Sequence, residues 1–335
     1  AVSRGERIAV FADYDVDGAA SAALILNWLR DLDSDATLYV PDRIEEGFGP
    51  NAPAMRRLGA DHDLIVCVDC GTMAHEAIAA AGTDVIVLDH HQGAEALPPA
   101  LALVNPNRQD ESRELGYLCA AGVVFLFLVA LNRLRRARGE PVPQLLELLD
   151  LVALATVADV APLVGLNRAF VRQGLSVLAK GPRPGLASLQ SASGLSGAPK
   201  TYGLGFVLGP RINAGGRVGQ SHLGARLLAT RDAHEADAIA ARLDALNRQR
   251  KEIEAGVQAE AEAQIAQRSF DAPLVWAAAE GWHPGVVGIV AARLKEKYRV
   301  PALVIGVNNG IGIGSGRSIA GVDLGAAITR LALEG

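Results

Sequence analysis

Residues 8–18 read Ile-Ala-Val-Phe-Ala-Asp-Tyr-Asp-Val-Asp-Gly, an apolar run followed at once by three carboxylates within five residues and a glycine. The apolar run predicts a buried strand, and Gly18 eases a strand-to-helix turn, which is where open α/β sheets place their ligands. Carboxylates this close repel one another, so their ionised forms need a cation, and hard oxygen ligands favour Mg²⁺ or Mn²⁺. An Asp-rich solvated turn has the same composition, and this stretch alone leaves that alternative open.

Three further apolar segments also end in polar side chains. Two are of strand type, 64–68 and 84–88, and one, 148–157, has helical spacing. The polar residues that follow them are Asp69; Asp89, His90 and His91; and Asp159. A single Asp at a strand end is usually a cap or a turn former, but four independent arrivals of Asp or His at element ends predict a shared functional site.

The order of the predicted elements gives the fold class. Strands and helices alternate from Ile8 to about Thr156, which predicts an α/β fold with a parallel, doubly wound sheet. Residues 181–199 predict a long surface connection, and residues 211–219 predict a loop rich in arginine and glycine. Residues 233–267 are rich in Ala, Glu, Gln, Arg and Lys without proline, which predicts one long helix. The predicted domains are 1–230, a connecting helix at 231–268, and a smaller α/β domain at 269–335.

Composition agrees with a soluble globular protein. With 335 residues and 50% hydrophobic content, the chain exceeds the usual limit for one core, so we expect two lobes. No apolar run is long enough to span a membrane and no targeting segment is visible, which predicts a cytoplasmic protein. The net charge of -5 does not exclude a nucleic-acid partner, because phosphate binding depends on a local basic groove. Aromatic residues for base stacking are scarce, at 4%.

Three cysteines do not make a disulfide framework. Cys67 and Cys70 have the C-x-x-C spacing of a redox motif or a zinc half-site, but the chain has no second Cys pair. We therefore interpret them as small buried residues.

Taken in order, the polar residues resemble the motifs of a known family. Asp15-Val16-Asp17, Asp69, Asp89-His90-His91 and Asp159 are similar in order and spacing to motifs one to four of the DHH phosphoesterases. Three later stretches, 209–217, 282–291 and 314–318, resemble motifs of the RecJ-type single-strand-specific exonucleases. The Asp-His-His triplet alone would also admit pyrophosphatases, oligoribonucleotide hydrolases and cyclic-dinucleotide phosphodiesterases. The resemblance covers nearly the whole chain and implies that the smaller domain is of the DHHA1 type.

The resemblance implies a site for two Mn²⁺ or Mg²⁺ ions. One ion would be held by Asp13, Asp15 and Asp69, and the other by Asp17, Asp69, His90 and Asp159, with Asp69 bridging. The resemblance also implies that His91 contacts the scissile phosphate or its leaving oxygen and that Asp89 orients an imidazole.

Substrate contacts are implied in both lobes. Arg43, Ser315 and Arg317 would bind a terminal 5′ phosphate, with the backbone at Gly314 and Gly316 closing around the anion. The residues expected to hold the nearer phosphates are Arg211, Asn213, Arg217 and His283. For any single arginine, a solvated surface position is the alternative.

The favoured function is that of a RecJ-type enzyme releasing mononucleotides from the 5′ end of single-stranded DNA in repair and recombination. The first alternative is a DHH phosphodiesterase of short oligonucleotides or cyclic dinucleotides, and the second is a non-catalytic nucleic-acid-binding relative. Expected partners are single-stranded DNA with a 5′ end, a single-strand-binding protein and a helicase, with the protein itself a monomer. Relatives continue with a Gly-Gly-His motif and an OB-like domain, so the chain is expected to be a truncated catalytic core.

Overall fold

The computed structural model describes residues 1–181, 183–268 and 272–334. The chain divides into two compact units, Ala1–Leu246 and Asn247–Gly335. The predicted start of the smaller domain falls on residues 269–271, which lie outside the described residues. Each unit has its own sheet with helices, which confirms the predicted α/β class.

The larger unit is built on a parallel sheet of five strands. These are β1 (Ile8–Ala12), β2 (Ala36–Tyr39), β3 (Leu64–Val68), β4 (Asp84–Leu88) and β5 (Ala102–Val104). They lie in the order β2-β1-β3-β4-β5, and all neighbouring pairs are parallel. β1 and β3 are buried at every position, as is typical of central strands covered on both faces, and their apolar runs are what made them predictable.

Helices cover both faces of this sheet. In chain order, the α-helices that begin in this unit are α1 (Val16–Arg30), α2 (Ala52–Asp61), α3 (His75–Ala79), α4 (Ala120–Ala137), α5 (Leu149–Ala158), α6 (Gly165–Leu178), α7 (Pro184–Ser193), α8 (Gly209–Val218), α9 (Leu223–Ala229) and α10 (Ala233–Ala266). The long helix predicted at 233–267 is confirmed as α10, which continues past residue 246 into the second unit. Among the described residues, none of the helices is both long and apolar enough to cross a membrane.

Alternation along the strands produces two apolar layers. Val10 and Leu88 belong to the layer that includes α1, α4 and α5, and Phe11 belongs to the layer that includes Met55 of α2 and Ile78 of α3. Fully burying one such side chain contributes about 1.5–3 kcal/mol. Packing of both layers against the sheet holds its strands in position. The positions of the strands then determine where their carboxyl ends lie.

The strand register places the polar strand ends side by side. Ala12 pairs with Val68, and Val68 pairs with Leu88. Asp13, Asp69 and Asp89 each come directly after these paired residues. The prediction that separate apolar runs deliver their polar residues to one sheet edge is therefore confirmed.

Two predicted connections are helical. The stretch 181–199 contains α7, which starts with Pro184 in its first turn, a position that tolerates the missing N–H. The predicted loop at 211–219 is largely α8, and its glycines serve packing. A Cβ at Gly216 would lie 2.1 Å from the Tyr14 ring, so the helix needs glycine there to approach β1 and α1.

The described part of the smaller unit has a three-stranded mixed sheet and two helices in addition to the C-terminal part of α10. Its elements are β6 (Val275–Glu280), α11 (Pro284–Tyr298), β7 (Ala302–Asn308), β8 (Ile311–Arg317) and α12 (Leu324–Glu334). The order is β6-β7-β8, with β6 and β7 parallel and β7 and β8 antiparallel. The predicted motif at 314–318 therefore lies mostly in a regular strand. A Cβ at Gly316 would stand 2.8 Å from Cδ2 of Leu324, so a larger residue there would require the Leu324 side chain to shift.

Candidate active site at the carboxyl edge of the sheet

The turn between β1 and α1 shapes the first carboxylates. Asp15 caps α1, its Oδ1 accepting hydrogen bonds from the backbone N–H of Asp17 (2.9 Å) and Gly18 (3.0 Å). A Cβ at residue 18 would lie 2.4 Å from the carbonyl oxygen of Asp13, so only glycine allows this turn. The sequence Asp-x-Asp-x-Asp-Gly thus folds into a tight turn that holds three carboxylates together.

Asp17 is anchored by a helix that begins far along the chain. Its two carboxylate oxygens accept hydrogen bonds from the backbone N–H groups of Ala120 (2.6 Å) and Ala121 (2.8 Å), in the first turn of α4. The side chain is almost fully buried. Burial, together with the charges of Asp159 and Asp15, raises the pKa of Asp17 to about 8.

Asp69 is the least satisfied polar group of the site. It is buried, its backbone is left-handed with a φ of 59°, and its N–H donates to the carbonyl of Leu88 at 2.9 Å. Among the described residues no hydrogen bond reaches its Oδ1, although Nε2 of His90 lies 3.3 Å away. Burial and the nearby carboxylates, Asp17 foremost, raise its pKa well above the usual range. A buried carboxylate oxygen of this kind is a fitting ligand for a cation.

Asp89 faces His91. Its Oδ1 accepts hydrogen bonds from Nδ1 of His91 (2.8 Å) and from the backbone of His90 (2.7 Å), while Oδ2 accepts from the backbone N–H of Thr72 (3.0 Å). Although burial opposes it, these donors hold the pKa of Asp89 well below its usual range. The same hydrogen bond raises the pKa of His91 to about 9.

His90 lies among three carboxylates. Its Nε2 is 3.3 Å from Asp69 Oδ1 and 3.7 Å from Asp17 Oδ2, and its Nδ1 is 3.9 Å from Asp159 Oδ2. Burial and the neighbouring His91 lower the pKa of His90, which favours the neutral imidazole that metals bind. Burial and Asp15 raise the pKa of Asp159 to about 6.

The structure brings the six predicted metal ligands together. We call them the strand-end cluster: Asp13, Asp15, Asp17, Asp69, His90 and Asp159. Ligand atoms within 4.8 Å of one another occur in three sets, which are Asp13, Asp15 and Asp69; Asp17, His90 and Asp159; and Asp69, His90 and His91. Burial and Asp15 raise the pKa of Asp13 to about 7. So many carboxylates can all be ionised only if cations neutralise them, and the donor set fits divalent metals.

Two asparagines that sequence reasoning missed support the histidines. Asn107 donates to the carbonyls of His90 (2.6 Å) and Gly116 (3.1 Å). Asn105 donates to the carbonyl of His91 (2.8 Å) and to the hydroxyl of Thr72 (2.9 Å). Both follow β5, so the same strand-end pattern could have found them, but β5 has only three residues.

A pocket of about 510 Å³ opens beside the cluster. Its lining includes Asp13, Asp69, Asp89 and His91 together with Phe48 and Met73. Arg43 lies over the ring of Phe48 (4.6 Å from guanidinium carbon to centroid) and donates to the hydroxyl of Tyr14. The structure thus places Arg43 close enough to the site for its charge to lower the pKa of Asp13. Tyr14, between two of the acids, is a further site residue that we missed.

Two predicted phosphate contacts on α8 are engaged within the protein. Arg211 pairs with Asp244 at 2.9 Å and donates to the carbonyl of Val207. Asn213 Oδ1 accepts from the backbone N–H of Val16 at 2.9 Å, which ties α8 to the start of α1. A third predicted contact, Arg217, lies near Tyr14: burial raises the pKa of the Tyr14 hydroxyl, and the charge of Arg217 opposes that rise.

The remaining predicted contacts lie in the smaller unit. His283 caps α11, its Nδ1 accepting from the backbone N–H of Gly285 at 3.0 Å. Arg317 donates to Ser315 Oγ at 2.8 Å. A Cβ at Gly288 would lie 3.0 Å from Ser315 Oγ and 3.2 Å from Arg317 Nη2, so α11 runs directly beside this pair. A hydroxyl, a guanidinium and a glycine in contact form a candidate anion site.

The cysteines contribute no metal ligand pair. Cys67, Cys70 and Cys119 are buried free thiols, and burial raises the pKa of all three. Their interpretation as small buried residues agrees with this environment.

Each of the two units contains a stretch that matches a known family of domains. Residues 7–156 match the sequence model of the DHH family, N-terminal domain, and residues 271–335 match the DHHA1 domain. The single-stranded-DNA-specific exonuclease RecJ of Dickeya dadantii is 42% identical over 99% of this chain and 61% of its own length. RecJ of Bacillus subtilis is 39% identical over 97% of this chain and 41% of its own length. The chain thus spans 61% or less of the length of these two curated relatives.

Solved structures give the same comparison. A crystal structure of exonuclease RecJ bound to manganese is 35% identical with a TM-score of 0.83, covering 98% of this chain and 81% of that one. The structure of RecJ in complex with Mn²⁺ from Thermus thermophilus is 33% identical with a TM-score of 0.84, covering 99% of this chain and 48% of that one.

Proposed function

The chain belongs to the RecJ branch of the DHH family, and from that premise we propose that it is a metal-dependent exonuclease. It hydrolyses the phosphodiester bonds of single-stranded DNA from the 5′ end and releases 5′-mononucleotides. One observation carries this function: five carboxylates and an imidazole converge at one sheet edge, around an Asp69 oxygen that no hydrogen bond within the described residues reaches.

Two divalent ions, Mn²⁺ or Mg²⁺, fit the strand-end cluster. Asp13, Asp15 and Asp69 would hold one ion, and Asp17, Asp69, His90 and Asp159 the other. When bound, two such ions activate water and neutralise the charge of the transferring phosphoryl group. The manganese-bound RecJ structures support a metal-binding role for this cluster.

His91 acts on the phosphate. Its Nδ1 donates to Asp89, which fixes the ring and leaves Nε2 for a phosphate oxygen or the leaving oxygen. The hydrogen bond with Asp89 raises the pKa of the imidazole to about 9 in the metal-free protein, which favours the protonated form that can bind an anion and deliver a proton. Asp89 touches no substrate in this assignment and positions His91.

The arginines bind the substrate phosphates. In the larger unit Arg43 would contact a phosphate near the cluster, and in the smaller unit Ser315 and Arg317 would hold the terminal 5′ phosphate. Arg217 and His283 are proposed to contact inner phosphates. Arg211 and Asn213 already bind Asp244 and Val16, so any phosphate contact would be made in addition to these bonds.

The proposed substrate indicates which partners the protein would work with. A nuclease that needs single strands depends on partners that open duplex DNA and cover the product, so we infer a helicase and a single-strand-binding protein as partners in repair and recombination. The protein would act as a monomer in the cytoplasm, which light scattering of the purified protein and cell fractionation would test.

Three substrates test the function: a long 5′-phosphorylated single strand, a dinucleotide and a cyclic dinucleotide, each with Mn²⁺. We expect the long strand to be degraded fastest, with mononucleotides as the first product. Preference for the dinucleotide or the cyclic dinucleotide would support a phosphodiesterase of short substrates instead, and hydrolysis of none would support a binding protein. Anomalous scattering from Mn²⁺-soaked crystals should place peaks within the strand-end cluster.

A further inference from the structure

Two exposed aromatic rings lie on the last turn before α8. Tyr202 and Phe206 are 66% and 73% exposed, and their rings stack with centroids 5.1 Å apart and planes inclined by 24°. We call them the stacked pair. Within the described ranges, the other exposed aromatic side chains are Phe48 and Trp276, and each already carries an arginine over its ring. The stacked pair therefore presents ring faces that no cation covers within the described part of the chain.

The backbone that holds the pair is unusual. Residues Gly203–Leu208 form a π-helical turn, a rare conformation that occurs frequently at functional sites. Exposing two large rings on such a turn costs free energy without benefit to folding, because neither ring adds to the core. A ligand that covers the rings would recover that cost.

The turn that carries the pair packs against the end of α5, the helix that leads into the strand-end cluster. A Cβ at Gly205 would stand 3.2 Å from Val157 Cγ1, and one at Gly209 would stand 3.3 Å from the Cβ of Ala158. Val157 and Ala158 form the end of α5, and Asp159 follows directly as its C-cap. The turn that carries the pair is thus packed against the helix end that delivers a predicted metal ligand.

The surrounding sequence has the charge that a polyanion requires. No aspartate or glutamate occurs between Asp159 and Asp232, whereas nine lysines and arginines do, in a chain with a net charge of -5. Four of the nine form ion pairs with acidic residues outside this stretch. Several of these basic residues are exposed, among them Arg168 and Arg172 on α6 and Lys200 just before the pair. A protein partner would need no such one-sided charge, but a nucleic-acid strand does.

We propose that the stacked pair is a base-stacking platform, on which bases of the single strand lie as the strand passes the strand-end cluster. This subsite rests on the proposed function, because the occupant is the strand that the cluster cleaves. Flat aromatic faces accept any base, so the platform would add affinity without sequence preference, while exposed basic residues such as Arg168, Arg172 and Lys200 neutralise the backbone.

Replacing each ring with leucine tests the platform, because leucine keeps an apolar side chain but has no ring face. The affinity for a single strand is measured by fluorescence anisotropy in EDTA, so that the strand stays intact. We expect Phe206→Leu and Tyr202→Leu each to weaken binding about fivefold or more. Leu146→Ala is the matched control, because Leu146 is 66% exposed in the same unit, just before the opposite end of α5, and should leave affinity unchanged.

Removing bases from the strand completes a double-mutant cycle. In the wild type, abasic sites at one or two positions should weaken binding about as much as the loss of a ring. In the double variant, which carries both Tyr202→Leu and Phe206→Leu, the same abasic sites should leave the affinity unchanged. Equal affinity of the wild type and the double variant for the intact strand would overturn the platform. So would a change in oligomeric mass in place of the change in affinity, because the rings would then cover a protein interface.

A second measurement needs no variant. 2-Aminopurine placed at successive positions of the strand should be quenched by the wild type at the one or two positions that reach the rings. Uniform fluorescence along the strand would contradict the platform. These results can be told apart from a failure of the proposed function. A wild type that neither binds nor degrades single strands would refute both the exonuclease function and the platform. Hydrolysis that does not depend on the two rings would refute the platform alone.

Discussion

The two units contain candidate binding sites for ions of opposite charge. The strand-end cluster of the larger unit is suited to cations, and the Ser315–Arg317 pair of the smaller unit is suited to anions, and the two sites are built differently. In the cluster, carboxylates crowd around a buried Asp69 oxygen that lacks a hydrogen bond within the described chain, and burial raises the pKa of Asp69 because ionisation is costly there. In the pair, an exposed guanidinium and a hydroxyl donate or accept hydrogen bonds at the surface of β8. The candidate cation site is held by the folded core, whereas the candidate anion site consists of two neighbouring side chains. Changes in the cluster should therefore have much larger consequences.

The largest effect is expected from Asp69→Asn. Asparagine tolerates the φ of 59° at this position and has nearly the same shape, so the fold should remain, whereas alanine would be strained there. Losing the charge of the carboxylate shared by both ligand sets should abolish hydrolysis. Product release with Mn²⁺ and circular dichroism are the measurements, and substantial activity at saturating Mn²⁺ would refute the bridging role.

The next effect concerns pH and metal together. The pKa values of Asp13 (about 7), Asp17 (about 8) and Asp159 (about 6) lie above the ordinary value of an unfolded aspartate, so the metal-free folded protein binds more protons than the unfolded chain. The contribution of these three groups to its stability is therefore full below about pH 4 and is lost progressively as pH rises to about 8. The raised pKa of His91 acts in the same direction, while the lowered pKa of His90 opposes it near pH 6.

Mn²⁺ should replace those protons and reverse the loss. Each displaced proton makes metal binding more favourable by roughly 1.4 kcal/mol for every pH unit. In a domain of this size, each kcal/mol of added stability raises the Tm by about 2–4 °C. We expect the Tm gain on adding Mn²⁺ to be several degrees larger at pH 8 than at pH 6. Asp69→Asn supplies the control, and an equal gain at both pH values would mean that the metal does not displace these protons.

The sequence predicted the parts of this site that depend on the local pattern of apolar and polar residues. The apolar runs before Asp13, Asp69 and Asp89 predicted both the strands and the edge where they meet, because a parallel sheet aligns its carboxyl ends. The helix α10 was predictable because its residues favour helix throughout.

What the sequence did not foretell depends on distant contacts. The hydrogen bonds from Ala120 and Ala121 to Asp17 join residues that are 103 and 104 positions apart, and no local pattern indicates them. The glycines of α8 suggested a loop, but Gly216 is there because the Tyr14 ring occupies the space of a side chain. Helix propensity was overruled by packing, which only the folded chain reveals.

A smaller effect is expected from Asn107→Ala. The side chain holds the carbonyl of His90, so its loss should loosen the imidazole and weaken Mn²⁺ affinity by about tenfold to a hundredfold. Asn132→Ala is the matched control, because Asn132 is also buried and bridges Trp28 to the carbonyl of Pro143 away from the cluster. Both variants should lose stability, on the order of 1–3 kcal/mol. If calorimetric titration gives both the same Mn²⁺ affinity, Asn107 does not position His90.

The smallest effect, and the most selective, is expected from Arg317→Ala. Arg317 is exposed and its removal leaves no buried charge, so the fold and the Mn²⁺ affinity of the cluster should be unchanged. Losing charge-assisted hydrogen bonds to a terminal phosphate costs about 1.5–3 kcal/mol, or roughly tenfold to a hundredfold in efficiency, and only for strands that carry this phosphate. Rates of mononucleotide release from 5′-phosphorylated and 5′-hydroxyl strands measure the selectivity. Arg268→Ala, which removes the arginine stacked on Trp276 in the same unit, should leave both rates unchanged. Equal losses on both strands would make Arg317 a general backbone contact, and the anion site of the smaller unit would then not read the 5′ end.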